Sequence, residues 1–139
     1  MGNELARNRH AVVIGHDDPT YLELSWLPAT NDMTDEDFMT ALMMLATEAQ
    51  ALAARAILID ATRFGHDFAD FDATMAWRDE RVIPRYNTAG VDRFAFVMPE
   101  GFPGPTAENG AEPRHDGPAA NFPTQWFTER TNAVAWLTN

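Results

Sequence analysis

Ala56-Ile-Leu-Ile-Asp60 is apolar on both faces of any strand it forms, and it runs into the polar turn Ala61-Thr-Arg63. About thirty residues later Arg93-Phe-Ala-Phe-Val-Met98 repeats the arrangement and stops at Pro99. A helical pattern separates the two runs, with Val82-Ile-Pro-Arg85 inside it. Short β-rich runs joined through a helix form a β-α-β unit, and side chains apolar on both faces suit interior strands of a parallel sheet. The fold class is therefore α/β.

Toward the N-terminus, Ala11–Gly15 reads as a short strand, His16-Asp-Asp-Pro19 as a turn and Tyr21–Trp26 as a second strand. Leu22, Leu24 and Trp26 share one face of it, and Tyr21, Glu23 and Ser25 the other. The connection is short enough for an antiparallel hairpin. Residues 1–10 are polar and read as a loose N-terminus. Thr34-Asp-Glu-Asp37 starts a helix, with Thr34 as cap and three acids at the positive end of the dipole. Its buried stripe is Phe38, Leu42, Leu45, Ala49 and Leu52, flanked by Met39, Met43 and Met44, which read as core.

A second helix starts near Asp70 or Asp72 and turns Phe71, Met75, Val82 and Tyr86 inward. Pro84 kinks or ends it, and Ala89-Gly90 closes it. Residues 99–121 hold five of the nine prolines and four of the eight glycines, so they read as a long exposed loop, dispensable for folding. Gln125-Trp-Phe127 reads as a short edge strand. Thr128 then caps a last helix with Val134, Trp136 and Leu137 inward.

The 139 residues form a single domain, 1–139, large enough to bury a core. Cysteine is absent, which removes disulfides, thiolate metal sites and thiol catalysis. All ten basic residues are arginine, which removes Schiff-base chemistry and a P-loop lysine. Ser25 is the only serine and sits inside a strand, not on the strand-to-helix turn a nucleophile elbow needs. A net charge of −11 repels nucleic acid and anionic membranes alike. With neither a leader nor an apolar span to be seen, the expectation is a soluble cytoplasmic protein.

In its Asp60-x-x-Arg63 strand end, in Trp77, and in the Ile83-Pro-Arg85…Ala89-Gly90…Arg93-x-Ala-Phe-Val-x-Pro99 block, the chain resembles the STAS-like proteins, relatives of bacterial anti-sigma-factor antagonists. Trp126-Phe-Thr128…Ala133-x-Ala-Trp-Leu137 matches too, and the likeness is greatest to a branch of bacterial STAS-like domains of unknown function. The resemblance implies a STAS-like (β-α) superhelix: a mixed sheet of about five strands in sequential order, with an N-terminal hairpin and helices mainly on one face. It also implies a non-enzymatic regulatory module that acts through protein contacts. Antagonists of this family carry a phosphorylatable serine beside an aspartate at the start of the second helix. Here the stretch is Phe68-Ala-Asp-Phe-Asp-Ala-Thr74, where Thr74 is the nearby hydroxyl. The lipid-carrying CRAL-TRIO domains share the fold, which suggests the alternative: a carrier of a small apolar or anionic ligand, held between the second helix and the loops after Asp60 and Met98.

Asp60 and Arg63 bracket the crevice outside a strand's carboxyl end, the usual ligand position in open α/β sheets. Arg78, Arg81 and Arg85 fall on one helical face beside Trp77 and suit a phosphate or carboxylate, or surface pairing with acids. Three His-Asp pairs stand out, and His66, Asp67, His115 and Asp116 follow strand ends on the same side of the sheet. They form a weak alternative metal set that lacks helical ligand spacing. No nucleophile–base set is visible, so no catalytic residue and no cofactor is assigned. With helices mainly on one face, the apolar second face calls for cover, and the expectation is a homodimer, the competing source of cover being the N-terminal residues or the last helix wrapped round to that side.

Overall fold

The computed structural model describes residues 2–139. A six-stranded mixed sheet runs through it in strict sequence order. Strands β1 (Gly2–Arg7), β2 (Ala11–His16) and β3 (Tyr21–Trp26) form an antiparallel meander. Strands β4 (Ala56–Asp60), β5 (Arg93–Val97) and β6 (Thr124–Phe127) extend it in parallel from β3. Helix α1 (Asp35–Leu52) joins β3 to β4, α2 (Phe71–Arg81) and α3 (Ile83–Ala89) join β4 to β5, and α4 (Arg130–Leu137) follows β6.

The sheet has one strand more than expected, because residues 2–7 pair with β2 instead of lying loose. Most of their side chains are exposed, so hydrophobic alternation gives no sign of the strand; backbone bonds to β2 define it.

Thr34 caps α1 as expected: its hydroxyl accepts from Asp37 N, and the Asp37 carboxylate accepts from Thr34 N. Phe38, Leu42, Leu45 and Ala49 are buried, but Leu52 is 54% exposed. It is the last residue of the helix, which stops where Ala53 turns left-handed at φ 51°. The expected second helix is two helices. Val82 breaks it and Pro84 falls in the first turn of α3, where its missing N–H removes no bond. Gly90, at φ 100°, closes α3 in the conformation that favours glycine. Met75 is half-buried and Val82 and Tyr86 are buried, whereas Phe71, the first residue of α2, is 55% exposed.

The connection from β5 to β6 is largely irregular, as its composition predicts, but it is not simply an exposed loop. Thr106, Ala120 and Phe122 are buried. Arg114 pairs antiparallel with Thr124 along the outer edge of β6. The buried Gln125 donates from Nε2 to Ala111 O at 2.9 Å. Thr128 does not cap α4. Glu108 instead holds the chain as it enters α4, accepting from the N–H groups of Thr128 at 3.0 Å and Glu129 at 3.2 Å.

Helices occupy both faces of the sheet. On the first, α1 and α3 pack over Val13, Leu24, Ile57 and Phe94. On the second, Ala133 and Leu137 of α4 pack with Leu58, Ala95, Val97 and Phe127. Of the α4 residues expected inward, Val134 and Trp136 are only half-buried. Over β4–β6 the second face is thus covered by the chain's own last helix.

Candidate functional site

On the first face, between α1, α2, α3 and the sheet, lies a cavity of about 150 Å³. Its walls are aromatic and aliphatic. Trp26 stacks on Phe38 at 5.4 Å between centroids, Phe94 stacks on Phe122 at 5.8 Å, and Ile59 and Leu42 fill between them. Phe122 comes from the irregular connection, which therefore forms part of the wall. Met75, Arg78, Phe96 and Asp116 are the lining residues that also reach solvent, so the cavity opens along that rim.

The rim is held by polar bonds. Arg78 donates to Asp79 Oδ1 at 2.9 Å and to Asp116 Oδ2 at 3.1 Å. Asn87 of α3 donates to Ala119 O at 2.8 Å and accepts from Asn121 N at 3.0 Å. Two buried polar side chains also line the cavity, Tyr86 at 2% exposure and Thr124 at 1%. Neither hydroxyl hydrogen-bonds to another described residue. Burial pushes the Tyr86 phenol above its ordinary value, against the weaker opposing pull of Arg78 and Arg85. It stays a neutral donor.

On the second face a different constellation surrounds Glu23. The alternation of β3 points this carboxylate away from Leu22 and Leu24, into the space beside the N-terminus of α4. It accepts from Ser25 Oγ at 2.6 Å and from Arg130 Nη1 at 3.2 Å, Arg130 Nη2 holds its other oxygen, and His16 Nε2 lies 2.7 Å from it. Arg130 also donates to the Tyr21 hydroxyl at 3.2 Å and lies 3.6 Å from Asp60 Oδ2. The carboxylate sits between serine and histidine, so the imidazole does not face the hydroxyl it would have to deprotonate. The cluster holds α4 to the sheet.

The residues singled out from sequence do not converge. Asp60 belongs to the second face, where it accepts from Thr62 Oγ1 at 2.6 Å. Arg63 is exposed and makes no ion pair with it; its backbone carbonyl accepts from Thr30 Oγ1 at 3.2 Å. The arginine stripe is divided by the break at Val82. Arg78 reaches the cavity rim, Arg81 is exposed, and Arg85 lies across α1 with Nε 2.6 Å from Gln50 Oε1. Trp77 packs at the edge of the core. The four metal candidates are not brought together: His66 is taken up by Asp35 at 2.7 Å and Asp116 by Arg78. Among the described residues no group of three or more His, Asp or Glu is placed to hold an ion. Thr74 is buried, with its hydroxyl on Asp70 O at 2.8 Å.

Tyr86, Thr124 and the Glu23–Arg130 pair were not legible as site residues. The one available signal was Glu23 itself, a charge in mid-strand beside an interior strand, which demands a partner.

Burial raises the Glu23 carboxyl, but bonds from Arg130, Ser25 and His16 outweigh it and hold the group below its ordinary 4.5. The Asp70 N–H, followed by His66 and the Ala69 N–H, holds Asp35 below 3.8 despite its desolvation. A lowered carboxylate contributes stability that is present above its unfolded value and lost as pH falls through the folded one. The urea midpoint is therefore expected to be level from about pH 7 to pH 5 and to fall steeply below about pH 4. A midpoint unchanged down to about pH 3 would contradict these shifts.

Comparison with known proteins places the chain beside none of them: no family model, no curated protein and no solved structure matches it.

Proposed function

We propose that the chain is a non-enzymatic carrier or sensor of a small apolar ligand, bound in the cavity beneath residues 114–122. The observation that carries this reading is a cavity inside the principal core, walled by aromatic rings and roofed by an irregular segment. Backbone bonds between Arg114 and Thr124 and the buried Ala120 and Phe122 anchor the two ends of that segment, and between them the polar contacts Arg78–Asp116 and Asn87–Ala119 hold it along the rim. Core packing normally leaves few voids larger than a water molecule. Polar latches exchange with water at small net cost, which gives a route in and out.

A second reading has its own support. The free edge of β1 has no strand partner, and Leu5 and Leu52 are exposed beside a groove of about 460 Å³ at that end of the sheet. With the STAS-like resemblance, these features favour a regulatory module that acts through protein contacts, as a homodimer or with another protein.

Native mass spectrometry of freshly purified protein tests both. The carrier reading expects 15.5 kDa plus a small retained mass, removed by mild activation. The second expects about twice that mass with nothing bound. Bare monomer at every concentration tested counts against the carrier and against the homodimer.

A further inference from the structure

We infer that the cavity's ligand is an uncharged single-ring aromatic compound bearing one hydroxyl or carbonyl group, with the hydroxyls of Tyr86 and Thr124 as its polar partners. The inference rests on the carrier reading and narrows it.

Size comes first. A cavity of about 150 Å³ is large enough to accept benzene, and this one, open at its rim, has that volume, about 150 Å³. Flat aromatic walls, with Trp26 and Phe38 on one side and Phe94 and Phe122 on the other, favour a ring over a long chain.

Charge comes second. Among the described residues Arg78 is the only cationic group lining the cavity, and it already holds two carboxylates, Asp79 and Asp116. The three together carry a net charge of about −1. A ligand carboxylate would meet repulsion there, so the ligand is neutral, which decides between the apolar and anionic alternatives raised by the sequence.

The polar contacts come third. The Tyr86 and Thr124 hydroxyls line the cavity and hydrogen-bond to no other described residue, so their bonding capacity is open to whatever fills it. Both hydroxyls can donate. A ligand oxygen would satisfy them, whereas a hydrocarbon of the same shape would leave them unsatisfied.

Phenol and toluene are near-isosteres that separate these cases, and calorimetry on the full chain, on Tyr86→Phe and on Thr124→Val reads the difference. Phenol is expected to bind the natural chain at least as tightly as toluene, although water holds phenol more strongly. In at least one variant phenol should weaken by roughly tenfold, the value of one hydrogen bond, with toluene unchanged. Both substitutions remove an unpartnered hydroxyl at nearly constant shape, so neither should lower the unfolding midpoint, and a folded variant is assured by the same scan. Phenol affinity unchanged in both variants, or toluene binding preferred in the natural chain, overturns the inference and leaves the carrier reading standing. Binding of neither compound overturns both.

Discussion

Arg130→Met should destabilise the protein more than Glu23→Met, although both break the same ion pair. The Glu23 side chain is 4% exposed and that of Arg130 is 40% exposed. Removing the arginine leaves a buried carboxylate with only Ser25 and His16 for partners. Removing the glutamate leaves a guanidinium that still reaches water, the Tyr21 hydroxyl and Asp60. Breaking a buried pair typically costs 3–5 kcal/mol, and the exposure of Arg130 places this one near the low end, at about 3 kcal/mol. For a chain of this size that is a midpoint drop of roughly 10 °C. Glu23→Met should cost about half as much, and the double variant should be no worse than Arg130→Met alone, because methionines on both sides restore apolar packing. Paired thermal scans of the three variants decide the matter. If Glu23→Met is the more damaging, the carboxylate holds more of the structure together than its bonds to Arg130 account for.

Replacing Gly104–Pro118 by a short Gly-Ser linker should also lower the midpoint by 10 °C or more, on the order of 4 kcal/mol. The segment's composition argues for the opposite result, since so many prolines and glycines bury little apolar surface. Its contribution lies in the polar groups of other elements that it satisfies. Without it, Thr124 loses both bonds to Arg114 (Thr124 N to Arg114 O at 2.7 Å, Arg114 N to Thr124 O at 3.0 Å), and Trp126 loses the guanidinium 3.8 Å from its ring centroid. The buried Gln125 amide loses Ala111, and the entry to α4 loses the Glu108 carboxylate that holds the N–H groups of Thr128 and Glu129. Each exposed or orphaned group adds its own cost. An unchanged midpoint in the excised chain would show that water replaces these partners freely, and would restore the reading of a dispensable loop. The same excision removes Asp116 from the cavity rim, so loss of ligand retention at temperatures where the excised chain is still folded is the further outcome expected of the carrier reading.

The local elements were legible in the residues themselves. The apolar runs at Ala56–Asp60 and Arg93–Val97 form the parallel centre of the sheet, because nothing but an interior strand tolerates apolar side chains on both faces over so short a stretch. Thr34 with Asp37 starts α1, Asp70 caps α2 through Ala73 N, and Gly90 ends α3. In each case a fixed spacing meets a fixed need of the backbone, so no knowledge of the rest of the molecule is required. Strand β1 escaped because its side chains bury little, and periodicity is visible only where burial imposes it.

What the tertiary structure alone decided is which distant groups meet. Arg130 reaches Glu23 across 107 residues of chain, Asp116 reaches Arg78 across 38, and Asn87 holds residues 32 and 34 positions away. No spacing rule encodes such pairs, since they follow from strand order and from the face on which each helix lands. The side of the sheet taken by α4 is the clearest case. A short helix with Ala133 and Leu137 as its buried residues carries too weak an apolar stripe to announce its destination. The sheet's apolar second face and the buried charge of Glu23 beside it provide that destination, through hydrophobic cover at Leu58, Val97 and Phe127 and an ion pair at Arg130. The cavity is likewise a property of the assembled layers. Tyr86 and Thr124 look like ordinary core residues along the chain, and they come to line one cavity only because the helices over the first face leave a space beside the aromatic wall.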